Sequence, residues 1–99
     1  MSDDAEGPAW TPDQVRARLR IVEALMLAHD RWAELSAAVS GSPDLASAVE
    51  VVRTVLGVGE PEIFHVLDTP LSGRTLECRE ELRRERDDLL AEVARIVEK

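Results

Sequence analysis

The sequence VLDTPLSGRT, which runs from Val66 to Thr75, separates two helical patterns in this chain. Pro70 lacks a backbone N–H and disfavours the helical conformation in Thr69, so a helix must break or kink sharply there. Ser72-Gly73 completes a turn. Thr75 can then cap a final helix that reaches Val97, because a threonine hydroxyl accepts from the first free N–H groups of a helix.

Upstream of this turn, the sequence predicts a long amphipathic helix. Thr11-Pro12-Asp13-Gln14 has the pattern of a capping box with proline at the first helical position. No glycine or proline then occurs before Gly41, which predicts a helix of about 27 residues and roughly 40 Å. Its apolar face repeats at spacings of four and three residues and comprises Val15, Leu19, Val22, Met26, His29 and Ala33, broadened by Ile21, Leu25, Trp32 and Leu35.

Two short helices are predicted between the long helix and the turn. Ser42-Pro43-Asp44 begins the first, with Ala46, Val49, Val52 and Leu56 facing inward and glycines closing it. Glu60-Pro61-Glu62 begins the second. The sequence therefore predicts an all-α protein with two long antiparallel helices that carry a small two-helix head. Residues 11–99 form one domain in this interpretation, after a disordered acidic tail at residues 1–10.

Composition narrows the class of protein. The 99 residues carry a net charge of −8, which opposes direct binding to DNA phosphates. Cys78 is alone, and the chain lacks a signal-like or membrane-spanning apolar run, so we expect a cytoplasmic protein without membrane association. One cysteine and two distant histidines make no metal-ligand set, and we expect no metal or cofactor. A domain this small is often stabilised by oligomerisation.

The order of several short motifs resembles the exit gate (C-gate) of type IIA topoisomerase A subunits, the gyrase A and topoisomerase IV A family. The likeness runs without gaps from about Arg18 to Val93. Its elements are Arg20-Ile21-Val22-Glu23-Ala24-Leu25-Met26-Leu27-Ala28-His29-Asp30, Ser42-Pro43-Asp44, Val55-Leu56-Gly57-Val58, Val66-Leu67-Asp68, Leu71 with Thr75, and Leu89-Leu90-Ala91. The resemblance implies that the long helices are truncated coiled-coil arms and that the region forms a homodimer contact.

The chain departs from this family in ways that bear on function. It contains no tyrosine, whereas the family cleaves DNA with a tyrosine nucleophile, so we expect no enzymatic activity of that kind. Pro70 stands where the family usually carries arginine, which changes the local geometry of the dimer contact, and Arg86 stands where it often carries tyrosine. The sequence therefore indicates a detached, non-catalytic gate that pairs with itself, with a topoisomerase subunit or another protein as a further partner.

The residues that suggest an enzyme have simpler interpretations. His29 precedes Asp30, but adjacent helical residues point about 100° apart, so the two side chains should not face each other. Cys78 lies in the first turn of a helix, where its thiolate would be stabilised, and we expect no catalysis from it. Ser72-Gly73-Arg74 lacks the spacing of a phosphate loop. A small all-α mutase would need convergent basic residues in a pocket, which the pattern does not provide.

We predict the dimer interface at Ile63, Phe64, Leu67, Pro70 and Leu71. A helix of about nine residues cannot bury all of its apolar side chains in one small core, and surplus apolar surface beside a rigid turn is typical of an interface. For Phe64 and Leu71 a purely intramolecular role is the alternative. The charged run from Glu77 to Asp88 is typical of a solvated helix face, with a partner surface as the alternative. At the level of function, the alternative is a nucleic-acid-associated accessory protein linked to DNA topology.

Overall fold

A computed structural model describes residues 10–97, and within this range the chain is all-helical. The all-α prediction is therefore confirmed. The predicted disordered tail lies outside the described residues, except for Trp10, whose side chain is exposed. The elements are α1 (Pro12–Asp30), α2 (Trp32–Ser40), α3 (Leu45–Leu56), α4 (Glu62–Leu67), a 3₁₀ turn (Leu71–Arg74) and α5 (Leu76–Val97).

The beginning of α1 has the predicted capping box. The Thr11 hydroxyl accepts from the backbone N–H of Gln14 at 3.1 Å, and the Gln14 side chain accepts from the backbone N–H of Thr11 at 2.8 Å. Pro12 is the first helical residue. Two N–H groups that would otherwise lack partners at the helix terminus are satisfied by these bonds.

The prediction of one uninterrupted first helix is wrong, because the helix breaks at Arg31. Arg31 has φ −112° and ψ 29°, outside the helical range, and separates the 19 residues of α1 from the nine of α2. Its guanidinium donates to the carbonyl of Val55 at the end of α3 and to Glu34. The break lets α2 turn towards α3, where Leu35 becomes buried. The head therefore contains three helices instead of two.

The start of α3 also differs from the prediction. Asp44, and not Ser42, is the N-cap, and its carboxylate accepts from the backbone N–H of Ser47 at 2.9 Å. Ser42 instead donates to the carbonyl of Ala38 at 3.0 Å. In the observed helix Ala48 lies in the core, whereas Ala46, which the sequence pattern placed inward, is exposed. Gly57 ends α3 in the left-handed conformation, at φ +68°.

Two apolar clusters hold the molecule together. The head cluster joins α1 to α2, α3 and α4 and is formed by Ala24, Ala28, Leu35, Val49, Val52, Leu56, Ile63 and Val66. The pair cluster joins α1 to α5 around Val15, Val22 and Leu89. Ion pairs join Arg18 to Glu85 and Asp30 to Arg79, so α1 and α5 run in opposite directions. The described residues extend 50 × 27 × 26 Å.

Candidate functional site

The predicted interface lies on α4 and the turn that follows it. α4 has only six residues, and Ile63 and Val66 occupy its inward side. Ile63 is 0% exposed inside the head cluster and has no surface to offer a second chain. Residues three apart share a helix face, so Ile63 lies on the same inward side as Val66. The sequence pattern placed Ile63 with Phe64, whereas the structure separates them.

The remaining predicted residues lie at or near the surface. Leu67 is half-buried against the head cluster, while Phe64 is 38% exposed and Leu71 is 77% exposed. Pro70, which lies between Leu67 and Leu71 in the sequence, is also exposed. We call Phe64, Leu67, Pro70 and Leu71 the turn surface. An apolar side chain as exposed as Leu71 on a small protein is a feature of interaction sites when other apolar side chains stand beside it.

Local hydrogen bonds shape the turn. The Thr69 hydroxyl donates to the carbonyl of His65 at 2.8 Å, and the backbone N–H of Gly73 donates to the carbonyl of Pro70 at 2.9 Å. A Cβ at Gly73 would lie 2.9 Å from Cγ2 of Thr69, so the close packing of the turn requires glycine. Thr75 caps α5 as predicted, because its hydroxyl accepts from the N–H of Cys78 at 3.2 Å.

Arg74 fixes the turn to the head. Its guanidinium carbon lies 3.8 Å from the centre of the Trp32 ring, which is cation–π distance, and Nη2 donates to the carbonyl of Val66 at 3.4 Å. Nε and Nη1 are buried and have no hydrogen-bond partner among residues 10–97. Burial lowers the pKa of Arg74. The sequence did not predict this contact, since nothing in the local pattern connects an arginine after the turn with a tryptophan in the first helical segment.

His29, Thr69, Arg74 and Cys78 line a cavity of about 250 Å³ behind the turn. The pKa of His29 is lowered, first by burial and then by the positive charges of Arg74 and Arg79. Asp30 pairs with Arg79, in agreement with the expectation that Asp30 and His29 do not act together. The Cys78 thiol donates to the carbonyl of Ser72 at 3.5 Å.

Most arginines are neutralised by nearby carboxylates. Within residues 10–97, every arginine except Arg74 and Arg84 lies within 4.0 Å of an Asp or Glu oxygen. A basic patch for phosphate groups would need arginines free of such partners. The arrangement therefore gives no support to the nucleic-acid alternative.

Within residues 10–97, no helix is long and apolar enough to cross a bilayer. No three His, Cys, Asp or Glu side chains in the range are grouped so that they could hold a metal ion.

Comparison with known proteins found no match among family models, curated proteins or solved structures.

Proposed function

We propose that this protein is a non-catalytic homodimerisation module that resembles the exit gate of gyrase A and pairs through the turn surface. The observation that carries the proposal is the exposure of Leu71, at 77%, on a turn held firmly by the Arg74–Trp32 contact. A rigid apolar projection loses little conformational entropy on binding. In this proposal, α1 and α5 correspond to the bases of the coiled-coil arms of the family.

The turn surface suits a symmetric contact between two copies. A two-fold axis would bring Leu71 and Phe64 of each chain to the same patch, so each residue contributes twice. The half-buried Leu67 and the rigid Pro70 support this patch from within the chain. A topoisomerase A subunit, which carries the segment that this chain resembles, is the second candidate partner.

Leu71→Glu tests the proposal. Four carboxylate oxygens would meet in a desolvated patch across the axis, which should raise the dimer Kd at least about thirtyfold, the effect of losing roughly 2 kcal/mol at a hot spot. Sedimentation velocity at low micromolar concentration should show a dimer for the wild type and a monomer for the variant. A variant that stays dimeric would show that the turn surface is not the interface.

Leu45→Glu is the matched control. Leu45 is also an exposed leucine, but it begins α3 and lies outside the turn surface. The same change at this position should leave the mass in solution unchanged. Circular dichroism on both variants separates loss of pairing from loss of folding.

A further inference from the structure

The guanidinium of Arg74 has more buried N–H groups than the surrounding residues have acceptors for. Nη2 donates to the carbonyl of Val66 at 3.4 Å, which is a long bond, while Nε and Nη1 are buried and have no hydrogen-bond partner among residues 10–97. No Asp or Glu oxygen in this range lies within 4.0 Å of the group. An arginine keeps its charge in proteins, and buried charged donors without acceptors are costly. The group therefore needs an acceptor from outside these residues.

An apolar cavity of about 210 Å³ lies beside this guanidinium, and we call it the Arg74 cavity. Arg74 is the one charged residue in its wall among residues 10–97. Three residues with hydroxyl groups also line it, and the rest of the wall is apolar. The apolar part comes from α2, α3 and α4 and consists of Trp32, Leu35, Val39, Val52, Val66 and Leu67.

The cavity behind the turn, which Arg74 also lines, is less suited to an anion. Glu81 and Glu85 lie in its wall, and their carboxylates repel a negative ligand there. Glu85 is already paired with Arg18 at 2.7 Å. An anion that approaches Arg74 through the Arg74 cavity meets no carboxylate among the described residues of the wall. The charges therefore favour the apolar side of the guanidinium.

These features define a ligand by its charge, its shape and its size. A carboxylate accepts two parallel N–H bonds from one guanidinium, and an apolar body gains free energy against an apolar wall. A phosphate would bring further charge and strongly held water into an apolar space that contains a single cation. The cavity is smaller than the roughly 300 Å³ at which sites for drug-sized ligands begin, so the body must be small.

A small movement of Arg74 makes its buried donors available to such a ligand. The guanidinium carbon lies 3.8 Å from the centre of the Trp32 ring. The attraction of a cation to an aromatic face does not require a particular N–H direction, so the group can turn over the ring while it stays in contact. The only hydrogen bond that must be released among residues 10–97 is the long one to Val66.

We propose that the Arg74 cavity is a binding site for a small monocarboxylate with an aliphatic or aromatic body. The carboxylate pairs with the guanidinium of Arg74, and the body lies against the apolar wall around Trp32 and Val39. This binding is additional to pairing through the turn surface and does not rest on it. The two sites have Leu67 in common.

Two matched ligands on the unmodified protein test the role of charge. Hexanoate should bind with a Kd of about 1 mM or below, an ordinary affinity for a ligand of this size. Hexan-1-ol has the same chain without the charge and should bind at least about tenfold more weakly, because it leaves the guanidinium without an anion. About 0.15 M salt screens the net negative charge of the chain. Equal affinities, or no hexanoate binding at about 10 mM, would overturn the proposal.

The two tryptophans show where the ligand binds. Trp32 lines the Arg74 cavity, whereas Trp10 lies on other cavities. In a titration followed by NMR, both ligands should shift the indole N–H resonance of Trp32 and leave that of Trp10 in place. Trp10→Phe assigns the two peaks. A shift confined to Trp10 would overturn the site.

Arg74→Met separates contact with the ligand from support of the turn. Methionine keeps an unbranched apolar side chain and removes the charge, so the affinity for hexanoate should fall at least about tenfold while that for hexan-1-ol stays within about twofold. Loss of both affinities in a variant that remains helical by circular dichroism would overturn the assigned role. The ligand pair on the unmodified protein decides the proposal even if this variant does not fold.

Arg84→Met is the matched control. Arg84 is exposed and, among residues 10–97, also has no Asp or Glu oxygen within 4.0 Å, but it does not line the Arg74 cavity. Its replacement removes the same charge and should leave the affinity for hexanoate within about twofold. If Arg84→Met weakens hexanoate binding as much as Arg74→Met does, the effect is one of net charge and the proposed site is wrong.

Discussion

At the scale of single residues, His29 couples the packing of the turn to pH. Burial and the charges of Arg74 and Arg79 lower its pKa, while Asp30 and a hydrogen bond with the backbone of Gly73 act in the opposite direction. The folded protein therefore favours the neutral imidazole. The unfolded chain binds the proton more readily, with a pKa near 6.5, so stability is present above this value and falls as pH decreases through it.

We expect the free energy of unfolding to decrease as the pH is lowered from about 7.5 to about 5.5, with the loss beginning near the ordinary histidine pKa. Urea denaturation at a series of pH values measures this slope. His29→Gln should flatten it. An unchanged slope in His29→Gln would assign the pH dependence to other groups.

The close approach of Thr69 to the backbone of Gly73 requires glycine at this position. An added Cβ would lie 2.9 Å from Cγ2 of Thr69, whose hydroxyl is held by the carbonyl of His65. We expect Gly73→Ala to destabilise the protein by about 1–3 kcal/mol, the usual cost of overpacking. Thr69→Ser keeps the hydroxyl and removes Cγ2. In that background, Gly73→Ala should lower the free energy of unfolding clearly less than it does in the wild type. Thermal unfolding of the four chains in this double-mutant cycle measures the difference, and simple additivity would contradict the steric account.

At the scale of elements, the break at Arg31 shows how tertiary contacts divide a helix. The backbone N–H of Arg31 still donates to the carbonyl of Leu27, and its carbonyl still accepts from Leu35, so little hydrogen bonding is lost. In return, the guanidinium satisfies the carbonyl of Val55, one of the terminal carbonyls of α3. Carbonyls in the last turn of a helix lack partners within that helix. The break therefore allows α2 to pack on α3.

The end of α3 offers a test of backbone conformation alone. Gly57 has φ +68°, and no atom lies within 4 Å of the position that a Cβ would occupy. We expect Gly57→Ala to cost about 1 kcal/mol of unfolding free energy, because an L residue resists the left-handed region. Gly59→Ala is the control, since it has equal space and no such φ, and its effect should stay within about 0.5 kcal/mol. Equal effects in urea denaturation would show that the conformation of Gly57 is not the cause.

At the scale of the whole molecule, α1 is the element that unites the fold. Its Ala24 and Ala28 belong to the head cluster, while Val15 and Val22 belong to the pair cluster with α5. Glu62, which is buried in α4, accepts from Arg20 of α1 at 3.3 Å and adds a polar contact between the head and this helix. A disturbance of α1 should therefore affect both clusters, and the chain should unfold as one unit.

Val22→Asp should lower the stability by about 3 kcal/mol or more, because Val22 is fully buried and the new carboxylate would lack a partner. This loss is a large part of the total free energy of unfolding of a domain of this size. Ala33→Asp is an informative control, since the sequence pattern placed Ala33 inward whereas the structure exposes it at the start of α2. It should be nearly neutral in thermal melts. If the two changes cost the same, the face of the first helical segment has been assigned wrongly.

The sequence by itself determined the features that depend on neighbours along the chain. The caps at Thr11 and Thr75, the helix end at Gly57 and the turn around Pro70 all rest on backbone rules and bonds between residues at most four apart. The inward placement of Val22 and of Leu89 follows the same logic, because a repeat of three and four residues fixes which side of each helix is apolar.

Only the tertiary structure decided the rest. Arg31 breaks the helix because its guanidinium reaches Val55, 24 residues away. Arg74 fixes the turn because it stacks on Trp32, and Ile63 is buried because α4 packs on α1 and α3. Local propensity carries no information about such contacts, since each depends on the space that several helices leave between them. That is why the sequence located the turn surface but could not separate the buried Ile63 from the exposed Phe64 and Leu71.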